Sequence, residues 1–201
     1  MIYNPNDLSS EQRSALLLSI VLPRPIALVS SLNSDHSVNL APFSLFNLVS
    51  LDPPIAFVSV QKTIPPKRTS ENIKRVREFV INIPNYEMAE GMNKAATPCA
   101  GTSNKFEHCG FNPEEAKIIM TAGIAEAKIR LECVLHGSME FDGYEMFLGK
   151  VVSIYCADRV VENDTVSIAK HEFIGRLGPK ELYLKVVEQN VFKMLREAEH
   201  E

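Results

Sequence analysis

Hydrophobic positions change period several times along this chain, and each change marks a new element. Between 9 and 22, Ala15, Leu16, Leu18 and Leu22 recur at helical spacing behind Ser9, with Gln12 completing a capping-box start. Pro23 and Pro25 end that helix, because each removes a backbone donor and pushes the residue before it toward extended geometry. From Ile26 the period shortens to that of a strand, which runs to about Leu32. Asn33-Ser34-Asp35 is a polar turn, and a return strand leads into NLAPFS, which starts at Asn39. Short apolar runs at 55–60 and 79–83 have the length and β-branched content of core strands. Between them, Thr69 or Ser70 is the expected cap of a short helix whose first turn holds Glu71 and Asn72.

Residues 84–123 read as an excursion from the sheet: a helix over 86–96, a turn of small residues over 99–102, and a helical turn over 104–109 closed by Gly110. Ile129, Leu131, Cys133 and Leu135 then alternate with Arg130, Glu132 and His136, which predicts a half-buried antiparallel strand. Asp142-Gly143 marks a hairpin into a second long strand over 144–156. Val191 and Leu195 sit at helical spacing and predict a last helix over 186–200, on the surface or against a second subunit. No repeat or low-complexity linker divides the chain, so one domain over 1–201 is expected. Its class is mainly β with peripheral helices (α+β).

Composition narrows the function. A chain of 201 residues, 45% hydrophobic and 23% charged, can bury one sizeable core. The formal net charge of −4, with no cluster of Lys and Arg, offers no electrostatic basis for binding nucleic acid. No apolar run approaches the ~20 residues that span a bilayer. The LLLSIVL run from Leu16 is short and has no basic leader, which argues against a signal peptide and for a cytoplasmic protein. Cys99, Cys109, Cys133 and Cys156 show no paired spacing, so free thiols are expected rather than a metal site. With nine glycines there is no G-x-G-x-x-G and no P-loop, and neither H-E-x-x-H nor G-x-S-x-G occurs.

What remains is the NLAPFS turn. Its backbone near Ala41 and Ser44 can face a ligand while Leu40, Phe43, Leu45 and Phe46 anchor it, an arrangement suited to a planar cofactor with one polar edge. Lys67 and Arg68 beside a helix start form a natural anion site, although an ordinary capped helix with solvated basic residues reads the same way. Taken in order, the blocks are RPIALVS from Arg24, NLAPFS with Phe46 and Asn47, Asp52-Pro53-Pro54, KRTSENI from Lys67 and EFVINI from Glu78. KFEHCGF from Lys105, LEC from Leu131, LGKVV from Leu148 and GRLG from Gly175 continue the series. This ordered series resembles the flavin reductase-like family of FMN-binding split β-barrels.

The resemblance implies bound FMN. Lys67, Thr69 and Asn72 fall on the family's phosphate-side block, and Ser30, Ser31, Asn39, Ala41, Ser44, Phe46 and Asn47 on blocks that border the cofactor. Arg68 stands where the family usually has Asp, a departure that adds a cation to the phosphate loop. The implied reaction takes hydride from NADH or NADPH and passes electrons through FMN to a small-molecule or flavin acceptor. The cofactor carries that chemistry, so no catalytic side chain is named. His171 and Arg176 are candidates for the nicotinamide side or a substrate phosphate; a solvent-facing His and a salt-bridged Arg are the plain alternatives. A homodimer with flavin sites near the subunit boundary is also implied. Two other readings share the fold: a flavin-binding or interaction protein without catalysis, and an oxidase of the pyridoxamine phosphate type, from which RPIALVS and NLAPFS point away.

Overall fold

The computed structural model describes residues 1–98 and 104–194. Helix α1 (Ser10–Ile20) begins at the expected capping box, with Ser9 Oγ accepting from the Gln12 amide at 3.1 Å and Gln12 Oε1 from the Ser9 amide at 3.0 Å. Past Pro23 come β1 (Arg24–Pro25), β2 (Ala27–Leu32), β3 (Val38–Phe43), β4 (Phe46–Leu51) and β5 (Pro54–Gln61). Helix α2 (Arg68–Val76) precedes β6 (Glu78–Asn82). The excursion holds α3 (Ala89–Ala95), α4 (Lys105–Cys109), and the short strands β7 (Pro113–Glu114) and β8 (Gly123–Ile124). The hairpin β9 (Ile129–Glu140) and β10 (Tyr144–Cys156) rejoins the sheet. A small hairpin, β11 (Val161–Glu162) and β12 (Thr165–Val166), then helix α5 (Ile168–His171), lead to β13 (Ile174–Leu177) and β14 (Leu182–Lys185).

Seven strands form one antiparallel sheet in the order β3-β2-β6-β9-β10-β5-β4. Its two edges are β3 and β4, yet only Ser44 and Leu45 separate them in sequence. Two residues span roughly 7 Å, so the sheet has to curl until its edges nearly meet. The Ser59 amide donates to the Leu45 carbonyl at 2.9 Å, which extends the β4–β5 ladder into that link. The result is a barrel left split between β3 and β4, the fold class expected from the sequence. A separate sheet, β1-β13-β14, stands beside the opening.

Strand β2 is buried on both faces because it serves two cores. Ala27 and Val29 face the barrel interior with Phe79, Phe147, Val58 and Ile73. Ile26 and Leu28 face a second core built by Met88, Met92, Phe106 and Ile124 from the excursion. Period-2 alternation explains how one strand feeds both.

Strand β9 departs from the half-buried pattern, since Arg130 and Glu132 are 9% and 6% exposed. The cause is a strap over 113–124 that lies across them. The Glu132 carboxylate accepts from the Lys117 and Ile118 amides at 2.7 and 2.8 Å, and Glu78 Oε1 from the Met120 and Thr121 amides at 2.9 and 2.8 Å. Asn82 Oδ1 takes the Ile124 amide at 2.9 Å, while Arg130 Nη1 donates to the Ile124 carbonyl at 3.0 Å. Charged residues that read as solvent-facing are therefore buried hydrogen-bonding partners of backbone.

Two further expectations change. Helix α2 starts at Arg68 with Lys67 in the cap position, and Thr69 is inside the helix because its hydroxyl accepts from Asn39 Nδ2 at 3.1 Å. The helix expected over 186–200 is not formed in 186–194, where only a 3-10 turn at Glu188–Asn190 occurs. The Val186 amide instead donates to the Phe173 carbonyl at 2.8 Å, which keeps the chain extended. The turn expected over 99–102, Cys99 and Leu195 lie outside the described residues. Among the described residues Cys133 and Cys156 are free thiols, and no helix is long and apolar enough to cross a membrane.

Gly149 packs directly against the barrel core. A Cβ there would stand 2.5 Å from Phe79 Cζ and 2.9 Å from Cys133 Cβ. Gly149→Ala should lower unfolding free energy by about 1–3 kcal/mol, the usual cost of overpacking a core. Urea denaturation measures it, and an unchanged midpoint would show that the wall yields.

Candidate functional site

Two adjoining chambers lie along β3, one lip of the seam. The inner one, about 460 Å³, is lined by Asn39, Ala41, Lys67, Arg68, Thr69 and Lys105, among others. The outer one, about 580 Å³, takes in Leu18, Arg24, Ser44, Met92, Arg176 and Tyr183. Pro42, Phe43, Lys67, Ala96 and Thr97 belong to both, so β3 and its turn form the wall between them. The NLAPFS segment thus lies at the site because the seam requires a tight turn there.

The inner chamber gathers cations at the start of α2. No side chain caps this helix, so its first turn presents backbone amides beside Lys67 and Arg68. Asn39 and Thr69, 5% and 1% exposed, are locked to each other by their hydrogen bond. Lys105 was not singled out from sequence. It is 7% exposed, donates to the Ala95 carbonyl at 3.2 Å and to the Thr97 carbonyl, and has no carboxylate partner among the described residues. A buried ammonium satisfied only by carbonyls leaves its positive charge in the chamber. The sequence holds no local signal for this, since Lys105 reaches the chamber only through the path of the excursion.

Arg24 organises the outer chamber. Its guanidinium, in a residue only 4% exposed, donates to the carbonyls of Leu18 (2.6 Å), Val21 (3.2 Å) and Gly178 (2.9 Å), and more weakly to Ser44 Oγ at 3.4 Å. One side chain thereby ties the end of α1 and the β13–β14 hairpin to the turn at the seam. Burial, and then the neighbouring Arg176, depress its pKa from the ordinary arginine value, yet a guanidinium stays charged in proteins.

Comparison with known proteins places this architecture. The sequence model of the flavin reductase like domain matches residues 19–171. The chain belongs to the flavin reductase like domain family. Among solved structures, nitrilotriacetate monooxygenase component B from Bacillus cereus superposes with a TM-score of 0.89 at 30% identity, covering 96% of this chain and 98% of that one. The 2-nitrobenzoate 2-nitroreductase of Pseudomonas fluorescens gives 0.84 at 29% identity, with 98% and 100% covered. A flavin reductase with split barrel domain from Shewanella frigidimarina shares the fold, with a TM-score of 0.83 at 20% identity and 98% and 100% covered.

Within this flavin reductase-like chain the sequence candidates separate into two sets. Asn39, Ala41, Lys67 and Thr69 meet in the inner chamber, and Ser44 and Arg176 line the outer one. Ser30, Ser31 and Asn72 lie behind the wall: Ser30 Oγ accepts from Asn82 Nδ2 at 2.8 Å and Ser31 Oγ from Asn72 Nδ2 at 3.1 Å. Phe46 packs in the barrel core, and Asn47 is exposed on the edge strand. Among the described residues Arg176 has no salt-bridge partner; its guanidinium lies 4.6 Å from the Tyr183 ring centroid and donates to the Tyr183 hydroxyl.

His171 is not solvent-facing. It is fully buried with its ring centroid 4.2 Å from that of Phe173, and it lines neither chamber. Burial first, then the Lys128 ammonium, lower its pKa from 6.5 to about 4, with the Pro84 carbonyl opposing weakly. The unfolded chain therefore binds more protons between pH 4 and 6.5, and stability present above pH 6.5 is lost as the pH falls. Parent minus His171→Leu, followed by urea denaturation, should show a loss of about 3 kcal/mol across that window. Parallel pH profiles for the two proteins would refute it.

Proposed function

We propose that this chain is an FMN-dependent oxidoreductase that takes hydride from NADH or NADPH and delivers electrons to a small-molecule or flavin acceptor. The observation that carries this reading is the inner chamber: Lys67, Arg68 and Lys105 converge with Thr69 and Asn39 at a helix start, in a chain of net charge −4. Such a cradle suits a terminal phosphate dianion. One basic cluster serves one phosphate, and the sequence holds no fingerprint for an adenosine half, so FMN is favoured over FAD.

Lys67, Lys105 and Thr69 would hold the phosphate, and the β3 backbone at Ala41 would border the ring. When bound, FMN supplies hydride acceptance and electron release. The protein's own part is orientation and exclusion of water. Arg24 keeps the Ser44 turn in place, and Phe43 closes the wall between the chambers. The second chamber beside the cofactor cradle favours an enzyme over a protein that only stores flavin, because a reactant needs room at the exposed side of the ring. The names of the two relatives near 30% identity, a monooxygenase component and a nitroreductase, point the same way.

A homodimer completes the proposal. The edge strand β4 exposes Leu48, Val49 and Leu51 at 50%, 56% and 79%, an apolar edge that a second subunit would cover. Light scattering should give about twice the 22.4 kDa chain mass; a monomer that holds FMN tightly would remove the dimer from this reading.

Lys67→Ala and Lys105→Ala should each weaken FMN binding by one to two decades, since a charge-assisted bond is worth roughly 1.5–3 kcal/mol. Thr69→Ala should cost less, as a neutral partner. Flavin fluorescence quenching in a titration reads the affinity, and Lys67→Ala within twofold of the parent would place the phosphate elsewhere.

A further inference from the structure

Arg24 and Arg176 face each other directly across the β1–β13 ladder. Like charges in that position repel, and sheets ordinarily avoid the arrangement. Neither guanidinium lies within ion-pair distance of a carboxylate among the described residues. Glu181, the carboxylate among the lining residues of the outer chamber, is exposed and pairs with neither. The backbone carbonyls around Arg24 satisfy its hydrogen bonds without cancelling its charge. Two cations are thus held together at the wall of a chamber with no carboxylate among the described residues to neutralise them.

From this pair we infer that the outer chamber is a recognition site for the carboxylate of an aromatic electron acceptor. The inference rests on the oxidoreductase reading for the word acceptor, but the anion site itself does not need it. Arg24 is spent on carbonyls, so Arg176 is the group free to contact a ligand. Its guanidinium is steadied over the Tyr183 ring and bonded to the Tyr183 hydroxyl. A planar donor fork fixed in one orientation matches a planar carboxylate bidentately. Leu18, Ile26, Met92 and Pro179 supply apolar lining for a ring, and Phe43 brings that ring to the wall shared with the inner chamber. Of the flexible ammonium groups that suit a phosphate, Lys105 lines the inner chamber and Lys67 the wall that the two chambers share. Arg176, Pro179 and Tyr183 lie beyond the segment matched by the family's sequence model, whereas most of the chamber's other lining residues fall within it.

Isothermal titration of the full chain with benzoate and with benzamide, at fixed ionic strength, tests the assignment directly. The parent should bind benzoate at least tenfold more tightly than benzamide, the gain of one charge-assisted contact. Arg176→Gln should bring the two within twofold, while FMN affinity stays within twofold of the parent. Arg176→Lys, which keeps the charge and loses the fork, should fall between, and it carries the test if Arg176→Gln does not fold. Equal binding of benzoate and benzamide by the parent overturns the proposal, as does a benzoate preference that survives Arg176→Gln. A rise in the KM for NADH or NADPH with benzoate binding unchanged assigns the pair to the donor's phosphates and overturns the acceptor role. Failure to bind FMN would defeat the oxidoreductase reading alone, because the benzoate titration needs no cofactor.

Discussion

The two-residue link between β3 and β4 constrains everything else in this molecule. Ser44 and Leu45 join the two outermost strands of a seven-stranded sheet, and no flat sheet can satisfy that connection. Curling closes the interior around Phe79 and Phe147 and leaves a seam where hydrogen-bonded pairing stops. An unpaired seam exposes backbone polar groups. Strand β3, one lip of that seam, lines both chambers, so the site sits beside the place where the barrel fails to close.

Electrostatics then divides the seam. An acidic chain concentrates Lys67, Arg68, Lys105, Arg24 and Arg176 around two adjoining cavities. Arg24 and Lys105 are both nearly buried, and both satisfy their donors on backbone carbonyls rather than carboxylates. That choice keeps the groups ordered while preserving their field, which a salt bridge would have cancelled. The same logic separates structural from binding charges here: Lys128 pairs with Glu87 at 3.1 Å and Lys74 with Glu145 at 2.7 Å, and none of the four lines either chamber.

Much of this was legible beforehand, for identifiable reasons. The capping box at Ser9, the helical turn closed by Gly110 and the 144–156 strand rest on local rules, and local rules decide those elements. The NLAPFS turn was readable as a site because its polar and anchoring positions interleave. Ser30, Ser31 and Asn72 looked equally suitable, but their partners, Asn82, Asn72 and Asn33, sit on other elements, and sequence does not show which hydroxyl is already bonded. Lys105 was missed for the converse reason, since only the fold of the excursion brings it to Thr69's chamber. Arg130 and Glu132 were misread because alternation reports a strand's period and is silent about what later covers its second face.

The strap over 113–124 has one more implication. Glu78, Asn82, Arg130 and Glu132 of the barrel hold it, and they grip its amides and a carbonyl, apart from one contact with the Thr121 hydroxyl. Side chains such as Ile118 and Met120, 65% and 74% exposed, take no part in the attachment. Almost any non-proline residue at those two positions would offer the same amide, so at 118 and 120 the strap's surface chemistry can drift while its path stays fixed.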